Sequence, residues 1–255
     1  VSHPKDTRVL KLFDGEKLLL CVYFPFGEAA ADNGTYSYEY LSPLPVSEWM
    51  GRTLTLSAEF PAGFEDAVTQ TDELPVSSEV HPPVHFTANA GWINDPNGLV
   101  YDNGTYHLYY QHNPFGVNWN NMSWGHATST DLLHWTRLPV AMLPDEEGTI
   151  FSGCGLTNEH RDEIQAAADS NLYRSLPKDA LLFFYTAAGG SHDSACSEGK
   201  DYTQHTAYST DHGLTLQKLP GAVVPFLKTD NRDPKVYWHE KSKAFLMSLF
   251  LKGTE

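Results

Sequence analysis

The densest reactive cluster in the sequence is Trp92-Ile93-Asn94-Asp95-Pro96-Asn97-Gly98, where a carboxylate lies between an amide and a proline, close to an indole. Taken alone, the run reads equally well as a turn, because Asn, Asp, Pro and Gly are the ordinary turn residues. Further blocks of the same character follow it: Gln111-His112-Asn113-Pro114 with Trp119 behind, Trp124-Gly125-His126, Phe151-Ser152-Gly153 and Arg232-Asp233-Pro234. Amides, hydroxyls, indoles, a guanidinium and carboxylates are the groups that hold a sugar. Its hydroxyls need polar partners and its C–H face stacks on aromatic surface. Asp95 and Asp233 supply two carboxylates, and a carboxylate pair around a glycosidic bond is the usual machinery of glycoside cleavage.

Residues so far apart in sequence meet only if the fold brings them together. From residue 81 onward the pattern is β-rich. Asn103-Gly104 reads as a hairpin turn between Tyr101 and Tyr106, leading into a strand over 107–111. The run Ala127-Thr128-Ser129-Thr130-Asp131 returns as Ala207-Tyr208-Ser209-Thr210-Asp211, and each copy precedes a strand ending in Leu-Pro, at Leu138-Pro139 and Leu219-Pro220. With units starting at 107–110, 181–185 and 245–251, the pattern predicts three successive sheets, as in the blades of a β-propeller. Blades that share an axis would each send a polar residue from a first strand into one funnel, where Asp95 and Asp233 converge. One helix is expected over 158–176, capped by Asn158, with Ile164, Ala167, Ala168 and Leu172 on one face.

Residues 1–80 show short aromatic or alternating runs broken by Gly, Pro and Asn, which predicts a small β-sandwich. The stretch 67–75 reads as a linker, with the domain boundary near 80 and the second domain running over 81–255. The fold class is therefore all-β. Trp49, Tyr36, Tyr38 and Tyr40 in the first part are either packing residues or a sugar platform.

With 17 basic against 32 acidic side chains, the 255-residue chain carries a net charge of −15, which repels a phosphate backbone and argues against nucleic acid as a partner. No apolar run is long enough for a membrane-spanning segment. Cys21, Cys154 and Cys196 are odd in number, widely spaced and free of any CxxC, so they are expected as buried or free thiols. Twelve histidines without ligand spacing, and Asp145-Glu146-Glu147 read as a solvated acidic loop, lead to an expectation of no metal and no cofactor. Asn33, Asn103 and Asn121 open glycosylation sequons, the first two of which also suit hairpin turns.

The ordered blocks, spanning about residues 84–255, resemble the motif set of glycoside hydrolase family 32, the invertase, inulinase and levanase family. That resemblance implies a five-bladed β-propeller cleaving β-fructofuranosyl linkages of sucrose, inulin or levan with retention. Asp95 would be the nucleophile forming a covalent fructosyl-enzyme. Asp233 would stabilise the oxocarbenium-like transition state by holding sugar hydroxyls, and Arg232 would orient that region and keep a neighbouring carboxylate ionised. Trp92, Asn94, Gln111, Trp119, Trp124, Phe151 and Ser152 would line the sugar site, whose partner is a fructose-containing oligo- or polysaccharide.

The family's acid/base is a glutamate in a Glu-Cys motif, and the 255 residues contain no such dipeptide. Beyond Asp233 the glutamates are Glu240, which reads as part of a hairpin turn, and Glu255. The expectation is an N-terminal portion of a longer enzyme acting outside the cytoplasm. A non-catalytic fructan-binding module and a fructosyltransferase are the alternatives.

Overall fold

The run Leu181–Ala188, Leu-Leu-Phe-Phe-Tyr-Thr-Ala-Ala, has no polar face worth the name, and a strand of that kind has to be covered on both sides. In the computed structural model all eight of its positions are buried. Leu181, Phe183, Tyr185 and Ala187 pack with Tyr109, Trp124 and Ile150 on one side, while Leu182 and Phe184 pack with Cys154, Leu176 and Val236 on the other. The period of two along one strand thus joins two separate cores.

The structure describes residues 7–26, 42–61, 63–73, 82, 84–164, 171–191, 193–228 and 230–253. Strands β1 (Thr7–Asp14), β2 (Lys17–Pro25) and β3 (Leu54–Ser57) form a sheet in the order β2-β1-β3. Next come β4 (Trp92–Asp102), β5 (Thr105–Asn113), β6 (Ser123–Ser129) and β7 (Thr136–Met142), paired in sequence order. A second four-stranded sheet repeats that plan with β8 (Thr149–Thr157), β9 (Leu181–Ala188), β10 (Tyr202–Ser209) and β11 (Gln217–Lys218). The hairpin β12 (Asn231–His239) and β13 (Ala244–Leu251) begins a third such unit. All the pairings are antiparallel, and β4 neighbours β8, which in turn neighbours β12. First strands side by side, with meandering sheets fanning outward, are the arrangement of propeller blades.

The expected repeat is present, but its phase differs. Residues 107–110, 181–185 and 245–251 lie on β5, β9 and β13, the second strand of each unit rather than the first. In the two four-stranded sheets the second strand is buried over most of β5 and all of β9, whereas β13 leaves alternate residues exposed. The two Ser-Thr-Asp turns close β6 and β10 alike. Ser129 Oγ donates to Asp131 Oδ1 at 3.1 Å and Ser209 Oγ donates to Asp211 Oδ1 at 2.7 Å, with a left-handed residue next in each, Leu132 (φ 65°) and His212 (φ 57°). Asn103 (φ 45°) and Gly104 (φ 83°) make the expected β4–β5 hairpin turn.

The helix over 158–176 is corrected in its described part. Residues 158–163 are closed by bonds three residues apart, Arg161 N to Asn158 O and Glu163 N to His160 O, and only α1 (Asn171–Ser175) is helical. Asn158 caps nothing: its buried amide donates to the carbonyls of Tyr173 at 2.9 Å and Pro177 at 3.0 Å, closing the excursion from its far end. Ala167 and Ala168 lie outside the described residues, as does the side chain of Leu172.

The expectation of three thiols fails for two of them. Cys21 of β2 and Cys196, between β9 and β10, are joined with their Cα atoms 5.9 Å apart, while Cys154 is a free buried thiol. An odd count and wide spacing carry no information about a contact made only in the tertiary structure.

The described part of residues 1–80 supplies a single three-stranded sheet whose Leu10, Leu12, Leu20 and Val22 pack on Phe115, from the β5–β6 connection. Trp49 is packed against this same cluster. Tyr36, Tyr38, Tyr40, Asn33 and the boundary near 80 lie outside the described residues. Of the remaining sequons, Asn103 is on an exposed turn, whereas Asn121 is buried and donates to Tyr23 O at 2.7 Å.

Three imidazoles are buried in the first four-stranded sheet. Burial lowers the His107 pKa, takes that of His112 down to about 4 and that of His126 down to about 3, against 6.5 for a free side chain. Within that window the unfolded chain binds more protons than the folded one, so stability present above pH ~6.5 is lost as pH falls, by about 1.4 kcal/mol per pH unit for each such imidazole. Urea unfolding is expected to give a smaller free energy at pH 5 than at pH 7, with a shallower dependence in His112→Gln. Equal free energies at the two pH values would contradict neutral burial.

Candidate active site

The three first strands share a defect, and it falls at the same place in each. Along β4 the register slips between Ile93 and Pro96, so that Asn94 and Asp95 together face the single residue Gln111. In β8 it slips between Ile150 and Gly153, setting Phe151 and Ser152 against Thr186. In β12 the slip between Arg232 and Lys235 sets Asp233 and Pro234 against Leu249. A bulge bends its strand and re-aims the extra side chain. Pro96 and Pro234, which have no N–H to give the ladder, suit that interruption. Asp233 sits at φ 58°, in the left-handed region that a non-glycine residue occupies only when its surroundings enforce it.

Behind the bulges the backbone is wedged tightly. Gly98 (φ 53°) leaves no room for a Cβ, which would come within 3.2 Å of the rings of Tyr109, Trp124 and Phe183. At Gly153 a Cβ would lie 2.0 Å from Phe184 O. Thr186 of β9 ties the β12 bulge to the second four-stranded sheet, accepting from Asp233 N at 3.1 Å and donating to Gln204 Oε1 of β10 at 2.7 Å.

The bulges open onto a cleft of about 890 Å³. Asn94, Asp95, Gln111, Trp119, Phe151, Ser152, Arg232 and Asp233 all line it, which unites most of the residues singled out from sequence. Ser152 Oγ donates to Asp95 Oδ2 at 2.9 Å, and Gln111 Nε2 donates to Ile150 O at 2.8 Å. Trp119 and Tyr202 each meet the Phe151 ring edge to face, with centroids 5.9 Å away. Two indoles stand apart from the lining. Trp92 Nε1 donates to Asn94 Oδ1 at 2.8 Å, and Trp124 is fully buried, its Nε1 donating to Phe151 O at 3.1 Å.

Burial raises the pKa of Asp233, and the Asp95 and Asp230 carboxylates raise it further. Arg232 pairs with Asp233 and pulls the other way, but burial and the neighbouring carboxylates together outweigh it. The arginine therefore limits the rise rather than setting the balance. Its guanidinium also lies 4.5 Å from the centre of the Phe250 ring, which holds it in place.

Several lining residues escaped sequence reasoning: Lys200, Asp201 and Tyr202 from one side, Phe226, Lys228 and Asp230 from another. They follow no repeat and belong to none of the motif blocks. Glu240 sits on the β12–β13 turn, paired with Lys243 and accepting from Trp238 Nε1, and does not line the cleft. Asp145 and Glu147 are paired with Lys218 and Lys200 rather than simply solvated.

Residues 85–253 match the N-terminal domain of glycosyl hydrolases family 32. The chain is 40% identical over 199 residues to a levanase of Bacillus subtilis, covering 77% of this chain and 26% of that protein. It is 37% identical over 184 residues to an extracellular exo-inulinase of Aspergillus niger, covering 64% of this chain and 32% of that one. Among solved structures, the fructofuranosidase from Schwanniomyces occidentalis complexed with fructose is 34% identical and superposes with a TM-score of 0.54, covering 66% of this chain and 31% of that one. The chain spans about a quarter to a third of the length of these relatives. With the motif blocks, the propeller-like sheets and the domain match in agreement, the chain belongs to glycosyl hydrolase family 32 and carries its N-terminal domain.

Proposed function

We propose that the protein hydrolyses β-fructofuranosyl linkages, in sucrose or in fructans of the inulin or levan type, with retention of configuration. One observation carries the reading. Asp95 and Asp233, delivered by bulges in two different sheets, line a single cleft closely enough that the charge of Asp95 raises the proton affinity of Asp233. Relatives named levanase and exo-inulinase, and a similar structure holding fructose, support it.

In this mechanism the Asp95 carboxylate attacks the anomeric carbon of the fructosyl unit as the bond to the leaving oxygen breaks, and that oxygen takes a proton from a general acid. Water then attacks the same carbon, its proton returns to the conjugate base of that acid, and Asp95 is released. Ser152, donating to Asp95, fixes the direction of attack. Asp233 accepts from sugar hydroxyls, and the Trp119 and Phe151 rings offer apolar surface to the C–H face. The resemblance to the family assigns the general acid to the glutamate of a Glu-Cys motif, which these 255 residues lack, and Glu240, held on a turn that does not line the cleft, does not take that role. Since polymeric fructans do not cross membranes unaided, the site of action is extracellular, periplasmic or at the cell surface, and one relative is named an extracellular exo-inulinase. No described helix is long and apolar enough to cross a membrane.

Asp95→Asn is expected to lower kcat/KM by more than about 10³-fold while calorimetry still detects fructose. Rapid quenching of the wild type on an activated fructoside should leave a hexosyl adduct on the Asp95 peptide. An adduct on another carboxylate, or a product of inverted configuration, would overturn the assignment. The Arg232–Asp233 pair gives a signed pH test. Asp233 must be ionised to accept from hydroxyls, and Arg232 lowers its pKa, so the acidic limb of the Arg232→Gln rate profile should move to higher pH, by about 0.5–1 unit. A limb that stays in place removes Asp233 from the groups whose ionisation governs the rate.

A further inference from the structure

One wall of the cleft owes nothing to the bulged strands. Gly190, Ser191, Lys200 and Asp201, from the connection between β9 and β10, line it together with Tyr202 at the start of β10. Tyr202 meets the Phe151 ring, so this wall is continuous with the surface assigned to the fructosyl unit. Residues 189–191 and 193–201 have no regular secondary structure. Other ties hold their shape.

The first tie is Asp193, only 2% exposed, whose carboxylate accepts from Met122 N at 3.0 Å, from Thr149 Oγ1 at 3.2 Å and from Ser191 Oγ. A buried carboxylate with three donors on three different segments pins the connection to the two four-stranded sheets. Buried Ser197 adds a second tie, donating to Gly189 O at 2.8 Å and closing the connection on itself. The third is the Cys21–Cys196 bridge, which links the connection to β2, a strand 175 residues away that contributes nothing to the cleft lining.

We infer that this wall is the specificity-determining subsite for the sugar joined to the fructosyl unit, and that the N-terminal sheet positions it through Cys21–Cys196. The inference rests on the fructosidase reading above. The chemistry suits an uncharged polyhydroxylated partner: the Lys200 ammonium donates, the Asp201 carboxylate accepts, and Tyr202 provides an edge of aromatic surface. Lys200 is already turned toward Glu147, 3.3 Å away, in a half-exposed pair that is weak enough to exchange for hydroxyls. Lys200, Asp201 and Tyr202 touch the ligand in this scheme. Asp193, Cys196 and Cys21 are positioning residues.

The test compares full-length wild type, Lys200→Ala, Asp201→Ala and Cys196→Ser, with the folded wild type after mild reduction as a control that does not depend on refolding. Hydrolysis is measured on sucrose and on an inulin-type fructan, and inhibition by free fructose reports the fructosyl pocket alone. In the three variants and the reduced enzyme, KM for sucrose is expected to rise about tenfold, the loss of one good polar contact. The sucrose-to-fructan preference should change by a similar factor, and the fructose inhibition constant should move less than about twofold. A bridge that only stabilises the fold would lower Tm in Cys196→Ser and leave KM, preference and fructose inhibition as in the wild type, which overturns the inference. KM values for Lys200→Ala and Asp201→Ala unchanged from that of the wild type overturn it as well. A wild type that releases no fructose from either substrate refutes the fructosidase reading itself and is thereby distinguished from failure of the wall.

Discussion

A regular β-ladder cannot aim two successive side chains at one point, because neighbours along a strand leave on opposite faces. The carboxylate-bearing part of the cleft depends on breaking that rule three times. β4, β8 and β12 each lose register for two residues, and those residues are Asn94-Asp95, Phe151-Ser152 and Asp233-Pro234. A slip in an exposed edge strand would simply fray. Here it is enforced from behind by Gly98 and Gly153, which allow ring and backbone to approach where any Cβ would collide, and from the side by Thr186, which ties the β12 bulge to β9.

The two inter-sheet cores hold the bulged strands against one another. Phe183 and Tyr185 face the first four-stranded sheet and Leu182 and Phe184 face the third unit, so one strand sets the distance to both neighbours. Trp124 belongs to the same layer. It fills the core and donates to Phe151 O, so its bearing on the cleft passes through the backbone of a lining residue rather than through a sugar. The electrostatics follow from that placement. Asp233 is half buried beside two other carboxylates, and Arg232 offsets only part of the cost.

The motif blocks could be read from sequence because the polar and aromatic residue types that suit a sugar are grouped locally, whereas the bulges they form show only in the pairing register. The repeat was visible for the same reason, since Ser129-Thr130-Asp131 and Ser209-Thr210-Asp211 build the same hydrogen-bonded turn. Its phase was misjudged because β9 shouts its hydrophobicity while β8, which carries the cleft residues, does not. Asn158 looked like a helix cap because its local sequence suits one, and only the distant carbonyls of Tyr173 and Pro177 reveal its use. The Cys21–Cys196 bridge and the Lys200–Tyr202 wall left no trace, being contacts between segments with no shared pattern.

Asp95 and Asp233 reside on different sheets, and that division makes their separation a property of assembly rather than of any rotamer. Each carboxylate is carried by its own sheet, and Asp95 is bonded to Ser152 of β8, so the spacing between them is set by how those sheets lean on β8 and β9. A volume change at Phe183 or Ala187, in the core between the two four-stranded sheets, is expected to reach the cleft as a displacement of one acid relative to the other. Precision at the cleft is thus bought deep in the interior, and drift in the family's chemistry would be expected to trace to packing layers as readily as to the residues that meet the ligand.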